Sequence, residues 1–363
     1  MLVTNTLEQS PSGGRELLCR LNHDVLRELY GDQLVLFELS NFSLRGIVSV
    51  FNAFKGHIDG LTSKNISDAL RQIQVRNVEK VFVDGSNLGG LVMAIKTNYP
   101  GVQVCTFFHN VEARFFLGAL REFKTARALG ILLANYQAEK KSVRYSDMII
   151  CLSERDSRLL RRLYGRSATH VAPIALKDKL ANCGELSGNR APEKFALFVG
   201  GAFYANLAGI KWFVKNVSPR IRIKTCIVGK GLEDLKDDLD MEGKVQVIGE
   251  VESLAHWYRS AHYVIAPIFD GSGMKTKVAE ALMHGKKVIG TPEAFAGYEE
   301  IADRAGRVCV SADDFVAAIE NADEMVRDSF DGELRGIYES KYSYEAARVR
   351  LQAIMSCKTP PRQ

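Results

Sequence analysis

The chain has 363 residues, 46% of them hydrophobic and 25% charged, with a mean hydropathy of −0.08. This composition excludes a disordered or fibrous protein, and the length implies two domains. The net charge is +5, and no apolar run approaches the roughly 20 residues of a membrane span.

Short β-branched runs alternate with helical stretches from end to end. The start, Met1-Leu-Val-Thr-Asn-Thr-Leu-Glu, lacks the basic and apolar regions of a secretory signal, so a cytoplasmic location is expected. In the first half the pattern predicts strands at Leu2–Asn5, Leu34–Glu38, Lys80–Asp84, Val102–Phe108, Met148–Leu152 and Thr169–Ala172. Helices are predicted between them at Arg15–Leu29, Ile66–Gln74, Gly90–Asn98 and Glu154–Tyr164. Near-continuous apolar strands separated by helices mean a parallel sheet covered on both faces. From Lys177 to Glu193 the alternation stops in a polar stretch carrying Gly184, Gly188 and Pro192, which is linker composition. It restarts with predicted strands at Phe195–Val199, Lys224–Val228, Val245–Ile248, Tyr263–Pro267, Lys287–Gly290 and Arg307–Val310. The fold class is therefore α/β, with two doubly wound domains. The domains are placed at 1–178 and 194–340, joined by a linker at 179–193, with a C-terminal helix at 341–363 packing back toward the first domain.

In doubly wound domains ligands bind beyond the carboxyl ends of the strands, so the loops that follow them carry the chemistry. Two such domains facing each other place a site in the cleft between them. After the first strand, Gly13-Gly14 precedes a helix, where backbone amides can meet an anion; the same pair also makes an ordinary turn. The fourth strand ends in His109-Asn110-Val111-Glu112, a polar cluster where either a structural or a catalytic histidine fits. The strongest signal follows the strand ending at Pro267: Asp270-Gly271-Ser272-Gly273-Met274-Lys275-Thr276-Lys277, then Glu280 one to two turns into a helix. Its glycines let amides point at a phosphate, its lysines supply charge, and Glu280 can accept hydrogen bonds from a ribose diol. Glycine-bearing strand ends also occur at Gly200-Gly201 and Gly229-Lys230-Gly231. Neither is a dinucleotide fingerprint, and no phosphate-binding P-loop occurs.

Seven cysteines form no C-x-x-C pair, and Cys105, Cys151, Cys226 and Cys309 sit in apolar runs as core thiols. Between Ala113 and Arg166 twelve Lys/Arg face five Asp/Glu, a local charge of +7. This segment reads either as a solvated helical surface or as a cationic face for anionic lipid. No nucleic-acid-binding motif accompanies it.

Taken in order, these motifs resemble the two-domain GT-B glycosyltransferases, most closely glycosyltransferase family 4. The likeness runs from Phe198-Val199-Gly200 through Asn206, Gly209-Ile210, Trp257-Tyr258 and the Gly271–Leu282 run to Gly285 and Thr291. In the first half it rests on Gly13-Gly14, His109–Glu112 and Ser146–Asp156. The resemblance implies a retaining, metal-independent hexosyltransferase using a UDP- or GDP-sugar and no separate cofactor. The sugar passes to a glycan or lipid-linked acceptor in cell-envelope polysaccharide or glycoconjugate synthesis. It implies catalytic roles for His109, Lys275 and Lys277. Donor contacts are assigned to Gly13, Gly14, Gly200, Lys230, Gly271, Ser272, Gly273, Met274 and Glu280, and acceptor contacts to Asn110, Glu112 and Arg114. Glu280 matches the later of the family's two paired glutamates, whereas Ser272 stands where the earlier is usual. The alternatives are a sugar-nucleotide epimerase of the same fold or a non-catalytic sugar-nucleotide-binding subunit. The enzyme is expected in the cytoplasm, at the inner face of the membrane if the basic segment meets lipid.

Overall fold

A computed structural model describes residues 1–8, 11, 13–39, 53, 58–180 and 194–357. The chain divides into two compact units, Met1–Ile174 together with the stretch from Ala347 on, and Ala175–Ala346. Most of the expected linker, 181–193, lies outside the described residues.

The first unit contains β1 (Leu2–Asn5), α1 (Gly14–Tyr30), β2 (Leu36–Leu39), α2 (Ser63–Val75), β3 (Lys80–Asp84), α3 (Gly89–Asn98) and β4 (Gln103–Phe108). It continues through α4 (Glu112–Phe123), α5 (Ala126–Tyr145), β5 (Met148–Cys151), α6 (Glu154–Tyr164) and β6 (His170–Val171). Its six strands pair in parallel in the order β2-β1-β3-β4-β5-β6. β1 and β3–β5 are buried almost throughout, as strands covered on both faces by crossover helices must be.

The second unit contains β7 (Phe195–Val199), α7 (Tyr204–Asn216), β8 (Lys224–Val228), β9 (Val245–Gly249), α8 (Leu254–Ser260) and β10 (Tyr263–Ala266). α9 (Thr276–Met283), β11 (Val288–Gly290), β12 (Gly306–Val308) and α10 (Ala312–Glu320) follow. The sheet order is β12-β11-β10-β7-β8-β9, again parallel. The final helix α11 (Tyr344–Ser356) supplies the Met355 carbonyl that accepts from Lys80 Nζ at 2.7 Å.

Each sheet has one point where its strand order reverses: between β1 and β3 in the first unit, and between β7 and β10 in the second. Chain leaving two neighbouring strands there diverges and opens a crevice at their carboxyl ends. Gly13-Gly14 follows β1, and the Gly271–Gly273 loop follows β10.

Several boundaries differ from the sequence pattern. β2 begins at Leu36 because Leu34 closes a 3₁₀ turn over Gly31–Gln33. The strand expected at Thr169–Ala172 is regular only at His170–Val171, on the sheet edge, with the Thr169 and Ala172 amides donating to the Ile149 and Cys151 carbonyls on either side; that expected at Arg307–Val310 lies at Gly306–Val308. The basic segment folds into α4 and α5 and continues through β5 and α6. A left-handed Lys124 (φ 47°) ends α4, and the Thr125 hydroxyl caps α5 by accepting from Ala128 N. Cys105, Cys151, Cys226 and Cys309 are buried and outside any disulfide, as is Cys19, whereas Cys357 is exposed.

Candidate functional site

In the second unit the backbones leaving β7 and β8 nearly touch. A Cβ on Gly229 (φ 152°) would lie 2.0 Å from the Gly200 carbonyl, so only glycine allows this approach. β10 leads into a loop whose Gly271 and Gly273 have φ of 141° and 63°, in the region where side chains clash. The Gly271 amide is held by Asp270 Oδ1 at 2.8 Å, and buried Met274 anchors the loop exit. Lys275 caps α9. Its Nζ pairs with Glu293 at 2.9 Å and donates to the Gly273 carbonyl at 3.2 Å, while its own carbonyl accepts from Tyr298 Oη at 2.9 Å. Ser272 is half-buried.

One turn further, Lys277 and Glu280 are both buried. Lys277 Nζ donates to Asn206 Oδ1 at 3.0 Å and lies 4.4 Å above the Phe198 ring. Burial, and then the charge of Lys275, push this ammonium down to about 7 against the pull of Glu280. Glu280 accepts from Tyr258 Oη at 2.9 Å, and burial raises its carboxyl although Lys179, Tyr258 and Lys277 oppose the shift. His284 stacks on Tyr258 at 5.0 Å and holds the Glu280 carbonyl through Nδ1 at 2.9 Å. Gly200, Lys277 and Glu280 thus gather around the β7–β10 switch point. Lys230 does not join them: its side chain is 71% exposed and lies 3.6 Å from Glu250. Asn206 and Tyr258, absent from the expected site, hold its charged groups; the signal for Asn206 was its position just after the Gly200-Gly201 turn.

In the first unit, the Gly13 amide is taken by Glu16 Oε2 at 2.8 Å, which caps α1. Arg15, next to Gly14, pairs with Asp59 at 2.6 Å. His109 is buried, and its Nε2 lies 2.8 Å from Asp84 Oδ1 at the end of β3. Asn22 Nδ2 donates to the same oxygen at 3.0 Å, and Thr4 Oγ1 donates to Oδ2 at 3.2 Å. Burial alone raises the Asp84 carboxyl, yet the charge and hydrogen bond of His109, joined by Asn22 and Cys19, hold it below its ordinary value.

The ligand atoms of Cys19, Asp84 and His109 lie within 4.8 Å of one another, a Cys/Asp/His set that could ligate a metal. Two ligands on a tetrahedral zinc are about 3.3 Å apart, whereas the 2.8 Å between Nε2 and Oδ1 is a shared-proton distance. The trio is arranged as a hydrogen-bond group.

Glu112 is buried at the head of α4, and burial pushes its carboxyl up to about 7 against the charge of Arg15, with Glu139 and Asp59 adding to the rise. Glu139 of α5 accepts the Glu112 and Ala113 amides at 2.8 and 2.9 Å and the Tyr164 hydroxyl at 2.7 Å. It satisfies amides that a helix start leaves unpaired. Asn110 and Arg114 are half-buried beside it.

Residues 193–327 match the family model described as Glycosyl transferases group 1. A search of curated protein sequences finds no significant match. Among solved structures, Anabaena HepE in complex with UDP is similar at a TM-score of 0.67 and 11% identity, covering 98% of each chain. The lipopolysaccharide outer core galactosyltransferase WaaB is similar at 0.64 and 12%, covering 98% of this chain and 99% of that one. OtsA is similar at 0.63 and 12%, over 99% of each. At these identities the likeness establishes the fold, and the family match identifies the second half. The chain has the two-domain GT-B fold, and its residues 193–327 match the group 1 glycosyl transferase family.

Proposed function

We propose that the protein is a retaining glycosyltransferase that moves a hexosyl group from a UDP- or GDP-sugar to a glycan or lipid-linked acceptor, in cell-envelope polysaccharide or glycoconjugate synthesis. The carrying observation is the Gly271–Gly273 loop running into Lys277 and Glu280 at the second unit's switch point, inside the segment that matches the group 1 model. Printed descriptions of similar structures support the reading: HepE holds UDP or UDP-glucose, and WaaB is a galactosyltransferase of the lipopolysaccharide outer core.

As the bond from sugar to phosphate breaks, negative charge gathers on the departing diphosphate. Fixed dipoles and cations at that point lower the barrier because they need no reorganisation. Here the head of α9 supplies the dipole and Lys277 the cation, and Lys275 exchanges Glu293 for phosphate. Glu280 receives the ribose hydroxyls, and His109 of the first unit positions the sugar or its acceptor. The acceptor hydroxyl attacks from the face the diphosphate is leaving, and its proton passes to the departing phosphate oxygen. In this reading the lysines do the neutralising, and no metal is called upon.

The test is a panel of UDP- and GDP-sugars scored first by thermal shift, since a ligand that binds only the folded state raises its melting point. Positive donors are then incubated with candidate acceptors. Nucleotide release that depends on acceptor, with an unchanged anomeric configuration in the product, is the expected result. Conversion of the nucleotide sugar to an epimer without acceptor would replace the reading.

A further inference from the structure

Chain leaving β11 turns back onto the loop that follows β10 and is tied to it at several points. Thr291 Oγ1 donates to the Ile268 carbonyl, and the Thr291 carbonyl accepts the Ala294 amide at 3.0 Å. A Cβ on Gly297 (φ 88°) would lie 2.5 Å from Met274 Cγ, and Tyr298 Oη donates to the Lys275 carbonyl at 2.9 Å. Between these anchors stands Glu293. Its Oε1 lies 2.9 Å from Lys275 Nζ, and the two side chains are only 13% and 12% exposed. The same ammonium lies across the glycine turn: it donates to the Gly273 carbonyl at 3.2 Å, and a Cβ on Gly271 would stand 3.5 Å from it. Glu293 thus brings a largely buried carboxylate to the place where the loop is assigned to meet the diphosphate. An acid at that point offsets the charge of Lys275 and repels phosphate, so diphosphate binding alone gives it no use.

We infer that Glu293 is a specificity-determining residue: it accepts hydrogen bonds from hydroxyls of the sugar being transferred, and so makes the site prefer a nucleotide sugar to the nucleoside diphosphate left after transfer. The inference rests on the sugar-transfer reading for its ligand. When phosphate takes Lys275, Glu293 loses the ammonium that faces it in a largely buried position. Removing the opposite charge from a buried carboxylate is costly unless new donors arrive. A hydroxyl-bearing ring on the same phosphate supplies them within reach, because Oε1 is 2.9 Å from the Nζ that the phosphate would contact. A carboxylate accepts through both oxygens, and hydrogen bonds to it are among the strong ones. A bare diphosphate end brings no donors to this point. The same side chain therefore favours the sugar donor before transfer and, once the sugar has left, competes with the product for Lys275.

The test is titration of the full chain, wild type and Glu293→Gln, with UDP, GDP, UDP-glucose, UDP-galactose and GDP-mannose. For the sugar that binds best, the quantity to follow is the Kd of the matching diphosphate divided by the Kd of the nucleotide sugar. Glu293→Gln should lower this ratio by at least roughly 10-fold, the scale of a hydrogen bond to a charged group. UDP or GDP itself should bind more tightly, because Lys275 no longer faces an acid, and should become a stronger product inhibitor. A purely structural Glu293 would weaken both ligands together, and a simple competitor for Lys275 would tighten both. An unchanged ratio in either case overturns the inference. Should Glu293→Gln not fold, Glu293→Asp makes the same comparison: it withdraws the carboxylate by one methylene and should lower the ratio likewise. A wild type that binds UDP or GDP but no nucleotide sugar would remove the sugar-transfer reading and this inference with it. Acceptor-dependent transfer by the wild type, with a ratio that Glu293→Gln leaves unaltered, overturns the inference alone.

Discussion

Tyr258 donates its hydroxyl to Glu280 Oε2 across 2.9 Å, and both side chains are buried. Neither partner reaches far in sequence, yet the contact joins α8 to α9 and fixes the rotamer of the carboxylate proposed to receive the ribose. A hydrogen bond to a charged group contributes about 1.5–3 kcal/mol. Glu280→Gln should therefore weaken UDP or GDP binding by roughly 10- to 150-fold in a titration. Tyr258→Phe keeps the charge and loses only the positioning, so a decrease of a few-fold is expected. A folded Glu280→Gln protein with wild-type nucleotide affinity would remove Glu280 from the donor site.

Lys277 links the site to pH. Its ammonium titrates at about 7 in the folded protein against 10.5 when unperturbed, with Lys275 and Glu280 as the charged neighbours. Between those values the unfolded chain binds more protons than the folded one, so stability rises with pH across the window and the penalty is full below it. Lys277→Met should raise the melting temperature at pH 7, by about 2–4 °C for each kcal/mol regained, and flatten the climb above it. The same variant should bind nucleoside diphosphate more weakly. Because a bound diphosphate favours the charged lysine, binding near pH 8 should take up a proton. Calorimetry in buffers of different ionisation heat checks this, and equal heats in all of them would contradict it.

Glu139 holds the head of α4, where the residues proposed for the acceptor lie. It receives two backbone amides at the head of α4 and the Tyr164 hydroxyl, so its removal strands three buried donors. Glu139→Ala should lose about 2–4 kcal/mol by urea unfolding, and Tyr164→Phe about 1 kcal/mol. Equal midpoints for Glu139→Ala and wild type would show that these bonds contribute nothing to stability.

The readable parts of this molecule were those encoded locally. Near-continuous apolar runs such as Phe195–Val199 marked strands covered on both faces, and the glycines of the β10–α9 loop marked a backbone that other residues resist. Pairings between distant elements were not legible. The polar strand end picked out His109 after β4 and passed over Asp84 at the end of β3, because their partnership depends on β3 lying beside β4. Cys19 joins them from 90 positions before His109. Lys275 read as a phosphate ligand because nothing nearby in sequence reveals Glu293, which reaches it from beyond β11. Glu139 counted only as one acid in a basic segment. Its role appears once α4 and α5 pack side by side.

The basic segment supports a last expectation, that the protein binds anionic membranes through the α4–α5 hairpin. No helix among the described residues is long and apolar enough to cross a membrane, so the contact would be peripheral. Phe123 is 59% exposed, Leu129 and Leu133 are each 45% exposed, and Leu117 is 36% exposed. Arg121, Lys124 and Arg127 are exposed around the same turn, with Arg114 half-buried behind them. The left-handed Lys124 and the Thr125 cap form the turn between the two helices, which carries apolar and basic groups together. A solvated surface needs no exposed phenylalanine beside four cations, whereas an interfacial helix needs both. Each basic side chain near an anionic leaflet contributes about 1 kcal/mol, and salt screens it. Changing Arg114, Arg121, Lys124 and Arg127 together to Gln should weaken co-sedimentation with phosphatidylserine-containing vesicles by up to roughly a thousandfold at low salt. Phe123→Ser with Leu129→Ser should weaken it by an amount that salt hardly alters, because apolar burial is not screened. Wild-type protein left in the supernatant at low salt would sink the membrane reading and assign these charges to solvent.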